Sequence, residues 1–151
     1  MKHKVLEFLR TASPFLITLV LWRLAFPWIN SAGMLCIIPI FYCSFIKPVQ
    51  YFVPFAIIFC FLLDYSFGTG YIWTIFYCAY YAIMHIQTVL DLTHTTEDGL
   101  FAFMVFLGAA LCLITIQHLN FANLLSAIVA FVITCAFYIP ITKTIRAARN
   151  D

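Results

Sequence analysis

Two charged side chains sit inside an otherwise apolar chain, and they are the first candidates for chemistry. Asp64 is the only acidic residue between Glu7 and Asp91. It closes an uninterrupted apolar run, Phe55 to Leu63, just ahead of the turn Ser66-Phe67-Gly68-Thr69-Gly70. A carboxylate at the rim of a hydrocarbon span is costly, so it reads by default as a functional or assembly site. Arg23 lies about six residues, roughly 9 Å, from the end of the first apolar stretch, at a depth comparable to that of Asp64. Either the two pair, or Arg23 reaches out to headgroups while Asp64 caps its turn.

The other polar clusters are weaker. His85, Gln87 and Asp91 are followed by His94, Glu97 and Asp98 at near-helical spacing. A hard-metal or proton site can be drawn from them, but no spacing matches a zinc motif and nothing apolar encloses them, so a hydrated loop is the simpler reading and no metal is expected. His118 and Asn120 read as interfacial. The six cysteines, Cys36, Cys43, Cys60, Cys78, Cys112 and Cys135, all fall inside apolar segments without a Cys-x-x-Cys pair, and read as small hydrophobes. There is no Ser-His-Asp set and no pair of carboxylates at membrane depth. Gly68-Thr69-Gly70 lacks the strand, the lysine and the spacing of a phosphate cradle. A non-enzymatic protein without a cofactor is expected.

The elements that must position these residues follow from composition. With 65% hydrophobic residues, 9% charged and a mean hydropathy of +1.03, the 151-residue chain has more apolar surface than a water-soluble fold of this size could hide. An all-α integral membrane protein is expected, forming one polytopic membrane domain over 1–151 with no soluble domain or repeat. The first segment lacks a small-x-small cleavage pattern and is flanked by Phe26 and Trp28, so it should stay as a helix.

Six apolar stretches are visible: Thr11 to Ile29, Gly33 to Ile46, Val49 to Leu63, Tyr71 to Leu90, Leu100 to Ile116 and Phe121 to Ile141. A bilayer core of about 30 Å needs about 20 apolar residues, so four stretches qualify and the second and third are short. One helix through 33–63 would carry Lys47 and Pro48 to mid-membrane, so a bent pair of short helices, or a re-entrant hairpin, is preferred. Counting six spans puts Lys2, Lys4, Arg10, Lys47, Lys143, Arg146 and Arg149 on one side, which the positive-inside rule makes cytoplasmic, both termini included. The +2 net charge at those ends suits anionic lipid headgroups and gives no case for nucleic acid.

Ser126, Ala130 and Thr134 recur every four residues on the last stretch, as do Gly108 and Cys112 on the fifth, and they are expected to let helices of this chain pack closely. Trp22, Trp28, Tyr51, Tyr71 and Trp73 read as aromatic-belt anchors.

The run Pro39-Ile40-Phe41-Tyr42, then Lys47-Pro48, then Phe59 to Leu63 with Asp64, then the Gly68-Thr69-Gly70 turn into an aromatic-rich helix resembles MreD, the small membrane subunit of the bacterial rod-shape machinery. The family's glycines four residues before and eight after the aspartate are Cys60 and Ile72 here. The resemblance implies a compact bundle of about six transmembrane helices, similar to the substrate-binding subunits of energy-coupling-factor vitamin transporters. It also implies a scaffold in the bacterial cytoplasmic (inner) membrane that binds an MreC-like protein and supports peptidoglycan synthesis by the elongation complex. Asp64, Gly68, Gly70, Pro39, Lys47 and Pro48, with Arg23, are then the expected binding or assembly residues. The alternative is a vitamin-transporter subunit with an outer pocket lined by Arg23, Asp64, Trp28 and His118. Against it, the first span lacks the Ala-x-x-x-Ala patch of that class.

Overall fold

The computed structural model describes residues 2–24, 32–89, 99–117 and 120–149, and among them every regular element is helical. Helix α1 is Lys2–Leu24. Helix α2, Ile37–Phe41, stands between a 3-10 turn, Ala32–Cys36, and a π-helical turn, Tyr42–Ile46. Then come α3, Phe52–Phe67, α4, Ile72–Val89, α5, Gly99–Gln117, and α6, Phe121–Arg149. Two of these, α5 and α6, are long and apolar enough to cross a membrane.

The helices run past several expected boundaries, for identifiable reasons. The described part of α1 starts nine residues before Thr11, because the Lys, Glu and Arg of its first turns are good helix formers. Pro14 has no N–H to give the Arg10 carbonyl one turn back; the Ser13 hydroxyl donates to that oxygen instead, at 2.8 Å. Helix α6 continues through Pro140 to Arg149, carrying the basic tail as helix. Helix α3 runs beyond Leu63 to Phe67, where Gly68 at φ +64° ends it. Of the other two full-length spans expected, the first ends beyond the described residues, and the fourth, α4, is less apolar than α5 and the apolar window of α6. Charges bracket the apolar part of α1, and α4 carries Thr74, three tyrosines and His85 along its length.

The centre of the molecule is the short segment 32–46. Every residue from Cys36 to Ser44 is buried. Phe41 meets Phe103 and Phe106 of α5 at ring-centroid distances of 5.3 and 5.2 Å. The Tyr77 hydroxyl of α4 donates to Ser44 Oγ at 2.7 Å. Contacts from α1 and α6 close the other sides. Enclosure explains how an irregular backbone persists here: Pro39 breaks the hydrogen-bond ladder, and the Lys47 N–H reaches back five residues to the Tyr42 carbonyl at 2.9 Å. The break expected at Lys47-Pro48 is present, and α3 restarts after Tyr51, which takes φ +62°.

Much of the outer surface of the described helices is apolar. Phe8, Ile58, Ile75, Phe101, Ile116 and Val132 are all exposed, and only 17% of the apolar window of α6 is buried. The stripe on α6 divides: Ala130 and Thr134 are buried against the bundle while Ser126 is exposed. On α5, Gly108 leaves room for the Phe131 ring, which a Cβ there would meet at 3.6 Å.

Candidate functional site

Asp64 occupies the last turn of α3 and is 3% exposed, so its environment is protein rather than solvent. Its carboxylate receives four hydrogen bonds. Oδ1 accepts from Thr69 Oγ1 at 2.5 Å and from the Trp73 N–H at 3.0 Å. Oδ2 accepts from the Thr74 N–H at 2.9 Å and from Thr74 Oγ1 at 2.7 Å. The two backbone donors belong to the first turn of α4, whose N–H groups have no partner within their own helix. The carboxylate at the end of one helix thus caps the start of the next. It places negative charge at the positive end of the α4 dipole, an arrangement that is favourable on its own account.

The turn is shaped for that bond set. Gly68 and Gly70 sit at φ +64° and +61°, values that L side chains rarely adopt. Between them Thr69 is buried with its hydroxyl on Asp64, and its N–H reaches the Asp64 carbonyl at 3.2 Å. A Cβ on Gly70 would lie 3.7 Å from Gln117 Oε1, so the end of α5 covers the turn. Tyr71, at φ +65°, leads into α4.

Asp64, Gly68 and Gly70 therefore form one unit. Arg23 lies exposed in the last described turn of α1, beside Trp22, whose ring packs edge-on against Phe59 at 5.9 Å; the donors that hold the carboxylate come from residues 69–74. Lys47 and Pro48 lie at the opposite end of α3, about 24 Å away for 16 residues of helix. Pro39 is buried in the central segment. Of the expected belt residues, Tyr51 and Tyr71 are exposed at helix starts, but Trp73 is 1% exposed. As the second residue of α4 it faces the core while its N–H serves Asp64, so it is no surface anchor.

The reading of the sequence missed Thr69 and Thr74, whose hydroxyls complete the carboxylate's partners. Two threonines five and ten residues after a buried aspartate were the available signal. It also missed the opposite end, where Arg146 Nε donates to the Tyr42 hydroxyl at 2.8 Å and ties the end of α6 to the central segment. All six cysteines are free thiols, with Cys36, Cys43 and Cys60 buried. Among the described residues no three His, Cys, Asp or Glu side chains converge as metal ligands. Asp91, His94, Glu97, Asp98, Trp28 and His118 lie outside the described residues, as does the side chain of Gln87.

A cavity of about 230 Å³ opens beside the turn, lined by Met34, Gly68, Thr69, Gln117, Asn123 and Ser126 among others. Neither Arg23 nor Asp64 lines it. Comparison with known proteins adds no relative: no family model, no curated protein and no solved structure matches the chain.

Proposed function

We propose that the chain is a multi-pass scaffold of the bacterial inner membrane, with both termini cytoplasmic, that holds an MreC-like protein within the cell-elongation complex and performs no catalysis itself. Two things support a membrane setting. Large apolar side chains are exposed on the outer faces of α1, α3, α4, α5 and α6, whereas soluble monomers rarely expose large contiguous apolar patches. The irregular segment 32–46 is enclosed by other helices, the one setting in which non-helical backbone is tolerated at membrane depth.

The observation that carries the scaffold reading is the capped turn. The aspartate and glycines on which the resemblance to MreD rests form a single hydrogen-bonded corner. Every oxygen of the carboxylate is engaged within the chain, which suits a rigid shape better than a group held ready for a substrate. Depleting the protein should make a rod-shaped host round up, and the MreC-like partner should no longer co-purify with the rest of the complex.

The cavity beside the turn favours a second reading, a small-molecule transport subunit. Its volume of about 230 Å³ falls below the roughly 300–1,000 Å³ usual for ligand sites. Normal cell shape and intact co-purification on depletion, together with loss of uptake of one vitamin, would establish that reading over the scaffold.

A further inference from the structure

The chemistry of the lining narrows what the cavity beside the Gly68–Gly70 turn can hold. Among the described residues that line it, none is charged. Its polar groups are hydroxyls and amides: Thr69 from the turn, Thr115 and Gln117 from the end of α5, Asn123 and Ser126 from the start of α6. The apolar part of the lining includes Met34, Phe67 and Ile114. Thr69 Oγ1 gives its proton to Asp64 at 2.5 Å and Thr115 Oγ1 gives its proton to the Leu111 carbonyl at 2.8 Å, so these two oxygens are left as acceptors. Among the described residues the Gln117 amide and the Ser126 hydroxyl have no hydrogen-bond partner, and each can both donate and accept. The Gln117 amide lies over the turn, where a Cβ on Gly70 would be 3.7 Å from Oε1 and 3.8 Å from Nε2.

An ion is a poor occupant, because a charge taken out of water into this lining meets no opposite charge. A purely apolar molecule is also poor, because it displaces water from Gln117 and Ser126 without replacing the hydrogen bonds. What fits is an uncharged molecule with several hydroxyls along its edge and an apolar face for the Phe67 ring. A sugar ring has both. The space of about 230 Å³ equals about eight water volumes at roughly 30 Å³ each. Bonded atoms pack closer than water molecules, so one six-membered ring with its hydroxyls is accommodated and a second is not.

An apolar groove of about 480 Å³ borders the cavity along the α5–α6 seam. Its lining includes Cys112 and Ile116 of α5 and Leu124 and Ile128 of α6, while Leu111, Thr115 and Ala127 line both spaces. A chain attached to the ring thus has apolar surface next to it. We propose that the cavity is a binding site for a single uncharged sugar ring, hydrogen-bonded by Gln117 and Ser126 with Phe67 against its face. Two sources present that group: a free monosaccharide, or the head of a glycolipid whose chain lies in the groove. The lipid as source rests on the membrane reading above; the sugar site itself rests on neither function considered there.

The full-length protein, purified in a polyoxyethylene detergent that carries no sugar, would be titrated with methyl glucoside, methyl galactoside and methyl mannoside by saturation-transfer NMR. In parallel it would be reconstituted in phosphatidylcholine vesicles with and without diacylglycerols carrying the same single sugars, and the retained glycolipid counted by mass spectrometry. Saturable binding of at least one methyl glycoside, the same at low and high salt, is expected. Gln117→Leu and Ser126→Ala should each weaken it about fivefold, the loss of one neutral hydrogen bond, and Ser126→Leu, which fills the space, should abolish it. Ser66→Ala removes an exposed hydroxyl at the same corner but outside the cavity, and should leave binding unchanged. Glycolipid retained by the wild type and lost in both Gln117→Leu and Ile128→Ser identifies the lipid as source; methyl glycoside binding with no retained glycolipid identifies the free sugar. No saturable binding of any methyl glycoside, equal losses from Ser66→Ala and Ser126→Ala, or tighter binding of glucuronate than of methyl glucoside overturns the site and leaves a water-filled crevice. Neither readout involves cell shape or uptake, so this site and the scaffold reading fail independently.

Discussion

Replacing Asp64 with asparagine changes one oxygen for an NH2 and almost nothing in volume, so its effect isolates the hydrogen bonding of the α3–α4 corner. In the native turn one backbone N–H points at each carboxylate oxygen, from Trp73 at 3.0 Å and Thr74 at 2.9 Å. Asparagine satisfies only one of them. Whichever way its amide is turned, an N–H donor faces a second N–H donor in a site that is 3% exposed. The neighbouring hydroxyl can rotate to accept, but the backbone amide cannot. The loss is one hydrogen bond to a charged acceptor, about 1.5–3 kcal/mol, plus the cost of a buried unsatisfied donor, about 1–3 kcal/mol. Part of this overlaps, so a destabilisation of about 2–4 kcal/mol is expected for Asp64→Asn. Asp64→Ala, which strands all four donors, should cost more. Equilibrium unfolding in detergent, followed by the reactivity of the buried thiols Cys36, Cys43 and Cys60, reads the difference directly. Thr74→Val removes the shortest bond to Oδ2 and should cost about 1.5–2 kcal/mol alone, but much less in the Asp64→Asn background, because the two changes share that bond. An Asp64→Asn protein as stable as the wild type, or losses that simply add, would refute the account of the corner.

Further outcomes follow from other parts of the molecule. If the proposed topology holds, a cysteine placed at Lys47 in a background stripped of native cysteines reacts only with reagent that reaches the cytoplasmic side; labelling from outside would overturn that proposal. Gly68→Ala meets no atom within 4 Å, so its cost should be the backbone term alone, about 1–2 kcal/mol, and Gly68→Asn should recover much of it. By contrast, a Cβ at Gly99 would sit 3.2 Å from the Tyr138 hydroxyl and 3.3 Å from Ile46 Cδ1, so Gly99→Ala should destabilise, by about 1–3 kcal/mol, despite better helix propensity. Phe41→Ala, at the middle of the ring cluster, should cost about 3–5 kcal/mol in the same unfolding assay.

The sequence was legible where punctuation and charge coincide. Lys47-Pro48 marks a real break, and Gly68-Thr69-Gly70 after Asp64 marks a real turn, because glycine, proline and a buried carboxylate each leave the backbone few choices. Other features were hidden by uniform hydrophobicity. Nothing in Ile37-Ile38-Pro39-Ile40-Phe41 distinguishes a short helix beside lipid from the buried pillar of the fold; that depends on which helices surround it. Trp73 reads as a surface anchor until the capping bonds set the rotation of α4. The helical extension through Pro140 was likewise unreadable, since the Thr142 and Thr144 hydroxyls that bond back to Tyr138 and Pro140 declare themselves only in the coiled chain.

The capped corner also bears on the order in which the molecule is assembled. Every partner of the buried carboxylate lies within ten residues of it, so the costliest group in the chain is satisfied as soon as residue 74 has been made. The bond from Arg146 to Tyr42 spans 104 residues and waits for almost the whole chain. At synthesis rates of about 5–20 residues per second, the interval between the two is roughly 4–14 s. During it, α3 and α4 form a finished hairpin while the pillar at Cys36–Ser44 still lacks α6, one of the helices that bury it. That interval is when a helper or a neighbouring subunit has access to the pillar, and when a slow arrival of α6 would leave it open to the wrong partner.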